Sequence, residues 1–252
     1  MTGYAETALV RGLSFLSESQ ASIAHNLANV DSTGFKRKSA VATSENARFQ
    51  SMLEREMPTV GFELTTDFTP GTLRTTGEAG HIGIEGERNK DLFFRVKTAD
   101  GSVAYTRSGQ LQLDDQGRIV TTDGNRYLDT SGSEIQLGVD GTTLSGVLIE
   151  PNGQIRDRKD PTKQWGPIGV FKVEDLRTLR SIGDGLFKDD AALATAATPT
   201  SSVRQGHLEQ SNVQSLDEMV RVMIVERTFQ ATSRMLGSVQ RLQEAFTSVM
   251  AR

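Results

Sequence analysis

Leu9, Leu13, Leu16, Gln20, Ile23, Leu27 and Val30 follow one another at alternating steps of four and three residues. Near the other end Val222, Val225, Phe229, Thr232, Leu236, Val239, Gln243, Phe246 and Met250 repeat the same spacing. A mean period of 3.5 places an apolar seam along one side of a helix, and such a seam needs a second helix to cover it. The spacing therefore predicts one long helix from about Tyr4 to Val30, closed at Asp31-Ser32-Thr33-Gly34, and a second from Ser215 to about Met250. Gly34 is placed to end the first helix in a left-handed conformation. Ser215 and Glu218 have the spacing of a capping box at the start of the second. Gln20 is the polar member of the first seam, a position that fixes register in a paired helix. Met219, Met223, Met235, Leu242 and Val249 flank the second seam, and a helix apolar on more than one side touches more than one neighbour. Neighbouring copies of the chain are the natural source of such contacts.

Between the helices the pattern changes. Turn dipeptides recur at Asp100-Gly101, Gln116-Gly117, Asp123-Gly124, Ser131-Gly132, Asp140-Gly141 and Asn152-Gly153. Short alternating or β-branched runs lie among them: Phe93 to Lys97, Val103 to Thr106, Leu111 to Leu113, Ile119 to Thr121, Ile135 to Leu137, Val147 to Ile149 and Ile168 to Val173. Regular short strands with tight turns predict an antiparallel β domain. Glu174 to Arg180 reads as a helical turn or two. The expected fold is α+β, with the two terminal helices pairing as a coiled-coil-like α domain around a central antiparallel β domain. The expected boundaries are 1–38 for the N-terminal helical segment, 39–66 for a connector, 67–188 for the β domain, 189–214 for a return connector and 215–252 for the C-terminal helix. Within the first connector, Phe49, Met52 and Leu53 mark a short helix inside Glu45 to Met57, with a flexible connector as the alternative.

Composition narrows the chemistry. The chain has 252 residues, 24 glycines, one tryptophan and a formal net charge of −4. No basic field draws it to nucleic acid or an anionic membrane. The clusters Lys36-Arg37-Lys38 and Arg156 to Lys159 read as solvated surface. The absence of cysteine removes disulfides, thiolate nucleophiles and sulfur-ligated zinc. No apolar run approaches the ~18 residues of a membrane-spanning helix, so no membrane insertion is expected. The first residues lack a basic region followed by an apolar one, so export, if it occurs, is expected without a cleaved signal peptide.

The segments from Asn26 to Arg37 and from Gly206 to Val213 resemble signature segments of the bacterial flagellar basal-body rod proteins. Asn26-Leu27-Ala28-Asn29-Val30-Asp31-Ser32-Thr33-Gly34-Phe35-Lys36-Arg37 is similar to the N-terminal signature of that family. Gly206-His207-Leu208-Glu209-Gln210-Ser211-Asn212-Val213, followed by Glu218-Met219-Val220 and Arg227-Thr228-Phe229, is similar to its second signature. Asp67-Phe68-Thr69-Pro70-Gly71-Thr72-Leu73 and Tyr105-Thr106-Arg107-Ser108-Gly109 resemble rod and hook segments. The signature residues carried over are Asn29, Gly34, Phe35, Gly206, Ser211, Asn212 and Val213. The chain departs from the family where Thr76-Gly77 is followed by Glu78-Ala79-Gly80-His81, where Gly86 and Phe93-Phe94 are spread apart, and at His25. The length matches the proximal-rod or distal-rod type, and the departures within 78–92 favour the proximal type.

The resemblance implies a structural subunit of the rod that spans the periplasm, exported by the flagellar export apparatus. It implies assembly with copies of itself and other axial proteins, helices inside and β domain outside. The residues expected at the assembly interface are Leu9, Leu13, Leu16, Ile23, Asn26, Leu27, Val30, Val222, Val225, Phe229, Leu236, Val239, Phe246 and Met250. Neither cofactor nor enzymatic activity is expected. His25, His81 and His207 lack metal-ligand spacing. Asp114, Asp115, Asp123, Asp129 and Asp140 sit at turns, where Asp bonds its own backbone. Gly80, Gly83 and Gly86 lack the spacing of a phosphate loop. Asn26 is expected either to bond a neighbouring subunit or to face solvent, and Asn29 to cap its helix. A periplasmic carbohydrate- or peptidoglycan-binding β module is the rival from another class, with Trp165, Tyr105 and Tyr127 as its aromatic candidates.

Overall fold

In the computed structural model, residues 2–44, 60–85, 90–138, 143–190, 194–196 and 202–250 are described. They divide into two compact units, one made of residues 1–30, 37–67 and 213–252, the other of residues 31–36 and 68–212.

The first unit holds helix α1 (Thr2–Ala28), helix α2 (Ser215–Met250) and a hairpin of β1 (Lys38–Ser44) and β2 (Val60–Thr66). The two helices lie against each other. They are antiparallel, because Gln240 reaches Glu6 at one end and Asn26 reaches Glu218 at the other. Val222, Val225, Phe229, Thr232, Leu236, Val239 and Gln243 are the half-buried positions expected of the α2 seam. Phe246 is in phase with them yet 69% exposed. On α1, Leu9, Leu13, Leu16 and Leu27 are half-buried and Ile23 is buried, and Val30, two residues past the helix end, is half-buried as well. Gln20 is exposed, whereas Ser22 and Asn26 are buried. The reason is β1, whose Lys38 carbonyl accepts from Ser22 Oγ and Asn26 Nδ2 and so covers a flank that the seam alone leaves open.

Two expectations are corrected here. Residues 39–66 contain a hairpin: β1 and β2 pair over seven residues, from Lys38 opposite Thr66 to Ser44 opposite Val60. The helix placed within Glu45 to Met57 lies outside the described residues. Gly34 does not stop α1, which ends at Ala28; its positive φ serves a turn six residues later.

The second unit is antiparallel β. Its strands are β3 (Leu73–Thr75), β4 (Ile82–Glu85), β5 (Leu92–Lys97), β6 (Val103–Thr106), β7 (Gln112–Leu113), β8 (Ile119–Val120) and β9 (Arg126–Tyr127). They continue as β10 (Val147–Ile149), β11 (Ile155–Asp157), β12 (Gln164–Trp165), β13 (Val170–Lys172), β14 (Leu179–Gly183), β15 (Leu186–Asp189), β16 (Thr195–Ala196), β17 (Ser202–Gln205) and β18 (His207–Glu209). The main sheet runs β14-β15-β6-β5-β9-β8-β7, with β13 joined to β5 and β16. Successive side chains of a strand face opposite ways. On β5, Phe94 and Val96 enter one apolar cluster with Ile82, Tyr127 and Ile168, while Phe93 enters another with Phe68, Phe171 and Phe187. Both faces of β5 are therefore covered, which is why it reads as an apolar run rather than an alternation.

Glu174 to Arg180 holds one short 3-10 turn, Leu176–Thr178, capped by Asp175. Residues 189–214 are no plain connector. β17 pairs with β4 and β18 with β3, and Val203 and Leu208 are buried. The β region thus extends past its expected end at 188, to 212.

Candidate assembly site

Three groups of residues bear on assembly, the first and third holding the expected interface and signature residues and the second lying outside both. The first is the helical seam, whose members are half-buried within one chain. Two members depart from it: Phe246 is exposed, and the side chain of Met250 is outside the described set. The second is a row on the other side of α2, where Leu216, Met219, Val220, Met223, Met235 and Leu242 stand exposed. The third is a set of buried charges carried by the signature segments.

In the β unit, Lys36 is 1% exposed. Its Nζ donates to Glu209 Oε1 at 2.5 Å and to the Thr69 carbonyl at 2.9 Å. Glu209 Oε1 also accepts from the Gly71 N–H, and Glu209 Oε2 accepts from Arg107 Nη1 at 3.0 Å. Two buried cations thus share one carboxylate. The Arg107 guanidinium carbon lies 5.0 Å from the centre of the Phe93 ring, a further place for its charge. Burial pushes the Arg107 guanidinium down from its ordinary value, opposed by Glu209 and Asp91. The backbone closes the same place: Gly34 N–H donates to the Glu209 carbonyl, and Asn212 N–H to the Phe35 carbonyl. Asn212 Nδ2 donates to Thr69. Gly34 has φ +67°, and a Cβ there would stand 2.5 Å from the Arg107 carbonyl carbon. Gly206, φ +75°, turns the chain between β17 and β18.

In the helical unit Asn26 is fully buried. Its side chain donates to the Lys38 carbonyl at 2.7 Å, accepts from the Lys38 N–H at 2.8 Å and donates to Glu218 Oε2 at 3.4 Å. Glu218 Oε1 accepts from Arg37 Nε at 2.5 Å. Arg221 Nε lies 3.9 Å from the same oxygen. This corrects three readings. Asn26 neither faces solvent nor stands ready for another subunit, because its carboxamide is used inside the chain. The Glu218 carboxylate turns inward to Asn26 and Arg37 instead of completing a capping box. Lys36 and Arg37 are not solvated surface, because each has a buried carboxylate far along the chain. Asn29 Nδ2 donates to the His25 carbonyl at the end of α1. Desolvation and the neighbouring Lys38 charge lower the His25 imidazole below its ordinary value. Ser211 is half-buried and Val213 buried.

Asp114 and Asp129 bond the backbone of their own turns. Asp114 Oδ1 accepts from the Gln116 and Arg118 N–H groups, and Asp129 Oδ1 from those of Ser131 and Ser133. Asp140 lies outside the described residues. Among them, no group of His, Cys, Asp and Glu is arranged to hold a metal. Tyr127 is buried and donates its hydroxyl to the Ser108 carbonyl, and Tyr105 packs edge-on to Phe171, so neither offers a ring for sugar stacking. The charge clusters had no sequence signal of their own, since their partners are far away in the chain.

Residues 89–156 match the family model described as the flagellar hook protein FlgE/F/G D1 domain. Residues 204–248 match the one described as the flagellar basal body rod FlgEFG protein C-terminal. The chain is 29% identical over 227 residues to the flagellar basal-body rod protein FlgF of Caulobacter vibrioides, covering 88% of both chains. It is 28% identical over 234 residues to the flagellar basal-body rod protein FlgG of Bacillus subtilis, covering 85% of this chain and 86% of that one. Against the protein of that same description from Buchnera aphidicola subsp. Acyrthosiphon pisum it is 29% identical over 249 residues.

Proposed function

We propose how this chain, which belongs to the flagellar basal-body rod protein family, is used: as a structural subunit of the rod that polymerises through its terminal helices into the torque-transmitting shaft. The observation that carries the mode of assembly is the α2 surface. α1 and α2 lie against each other and the seam positions of α2 are half-buried, yet an apolar row remains exposed along the rest of the helix. Burying an apolar side chain of this size contributes roughly 1.5–3 kcal/mol. Several per copy, repeated along a polymer, hold a stiff shaft. The assembly interface is therefore this outer row, together with Phe246. The seam residues Leu9, Leu13, Leu16, Ile23, Leu27, Val222, Val225, Phe229, Leu236 and Val239 act one step earlier, by pairing α1 with α2 in a coiled-coil-like manner.

The buried pairs Lys36–Glu209 and Arg37–Glu218 give the signature segments their role. They tie the N-terminal and C-terminal parts of the sequence into each unit, so that the outer row is presented on an ordered helix. The subunit reaches the rod through the flagellar export apparatus and works there with copies of itself and other rod proteins, across the periplasm. Its place is the proximal rod, a reading supported by the departures within 78–92. As a structural component it carries no reaction step.

Cryo-electron microscopy of isolated basal bodies tests this. The chain is expected in the lower shaft with α1 and α2 inside and the β unit outside. Density for it nearer the hook would move it to the distal rod, and its absence from the shaft would overturn the assembly reading.

A further inference from the structure

Beside the α1–α2 pair the helical unit contains a cavity of about 300 Å³. Ile23 from α1 and Ile224 and Val225 from α2 supply its apolar lining, and Arg37, Lys38 and Arg221 its charge. Of these three cations, Arg37 is committed to Glu218, and Arg221 approaches the same carboxylate at 3.9 Å. Lys38 is different. Among the described residues no ion pair engages its ammonium. Desolvation alone pushes its charge out of favour, lowering it from the ordinary lysine value. A half-buried lysine beside an apolar lining is an unfinished contact, because partial burial of a charge without a partner is unfavourable.

A carboxylate of matching charge stands exposed on α2. Met219, Met223 and Glu226 follow at steps of four and three, which puts them in one row. All three are exposed, and no ion pair engages Glu226 among the described residues. At ~100° per residue this row lies about half a turn around α2 from Arg221 and Val225. Two methionines precede one carboxylate along that row, and methionine adapts its shape to an irregular apolar recess.

Resting on the rod-subunit reading above, we propose that the cavity at Lys38 and Arg221 receives the Met219–Met223–Glu226 row of a second copy of this chain, with Glu226 pairing Lys38. Recess and row are different patches on one unit, so the contact is heterologous. Repeated from copy to copy it does not close on itself by a two-fold axis, and it generates an open helical array. A symmetric dimer is thereby disfavoured as the unit of assembly. The charge pair sets the register between copies, and the methionines and Ile224 supply the buried area.

Charge exchange in the full-length chain tests the contact, expressed in a strain lacking its own copy. Lys38→Glu and Glu226→Lys are each expected to cut swimming by roughly tenfold or more, because like charges then face each other across the contact. The double variant, which restores opposite charges at every contact, is expected to swim. So are cells expressing both single variants together, since each recess then finds a complementary row. Circular dichroism of the purified variants is expected to keep the wild-type helix signal. Single variants that swim normally while the wild-type chain is present in basal bodies overturn this contact alone. So does a double variant that keeps the helix signal but fails to restore swimming. Absence of the wild-type chain from basal bodies overturns the rod reading and the contact with it.

Discussion

Lys36 Nζ lies 2.5 Å from Glu209 Oε1, an ion pair between residues 173 apart in sequence with both side chains withdrawn from water. Arg107 shares the same carboxylate. Breaking a buried pair leaves an uncompensated charge, and here one substitution strands two. Glu209→Gln, which keeps the shape and removes the charge, is therefore expected to destabilise the β unit by about 3–5 kcal/mol. Denaturant unfolding of the purified chain reads this as a lower midpoint at unchanged slope. A midpoint within error of wild type would mean that the carboxylate holds neither cation.

Gly34 and Gly124 both have positive φ, +67° and +81°, but only Gly34 is crowded, by the Arg107 backbone. A Cβ at Gly124 meets nothing within 4 Å. Gly124→Ala should cost about 1–2 kcal/mol, the backbone penalty alone. Gly34→Ala should cost more, since peptide groups must shift as well. Thermal unfolding of the two variants side by side checks the order, and equal losses would remove the close approach as the reason for glycine at position 34.

How far the fold could be read ahead varied with the range of the interactions. α2 was legible to its ends because its seam repeats over many turns. Val103–Thr106 and Val147–Ile149 were legible because each is a short apolar run beside a glycine turn. β1 and β2 were not, because their pairing spans the whole of residues 45–59 and no turn dipeptide announces it. β17 and β18 were hidden in a polar stretch in which single residues, Val203 and Leu208, carry the burial. The buried charges were the least legible part of the site. Lys36 in a Lys-Arg-Lys run looks like surface, and only the fold brings Glu209 to it. Asn26 had the same difficulty, since its partners come from β1 and from the start of α2.

Asp114 is expected to titrate unusually low. Partial burial pushes its carboxyl up, but the Arg118 and Gln116 N–H groups and the Arg118 guanidinium outweigh that and hold it below its ordinary 3.8. With the folded value below the unfolded one, the unfolded chain binds more protons in this range. The stabilisation is then full above about pH 4 and is lost as pH falls through the folded value. Carboxyl-carbon NMR of the purified chain should place the Asp114 midpoint below that of a solvated aspartate. Asp114→Asn should flatten the acid limb of the stability curve, and a midpoint at or above 3.8 would contradict the turn's role.

Leu236 and Met235 are neighbours on α2 with different exposure: Leu236, in phase with the half-buried positions, is half-buried, whereas Met235 is 61% exposed. Their truncations should separate folding from assembly. Leu236→Ala removes part of the α1–α2 packing and is expected to lower the stability of the isolated chain by about 1–2 kcal/mol, below the range for a fully buried leucine. Met235→Ala leaves that packing in place and should change stability by less than about 0.5 kcal/mol, as surface substitutions do. In cells the second should still reduce incorporation into basal bodies, because the apolar area lost is area offered to a neighbour. Quantifying the chain in isolated basal bodies beside the unfolding midpoint of each variant makes the comparison. Met235→Ala leaving both unchanged would take the middle of α2 out of the assembly surface and confine it to the rows near Met219 and Phe246.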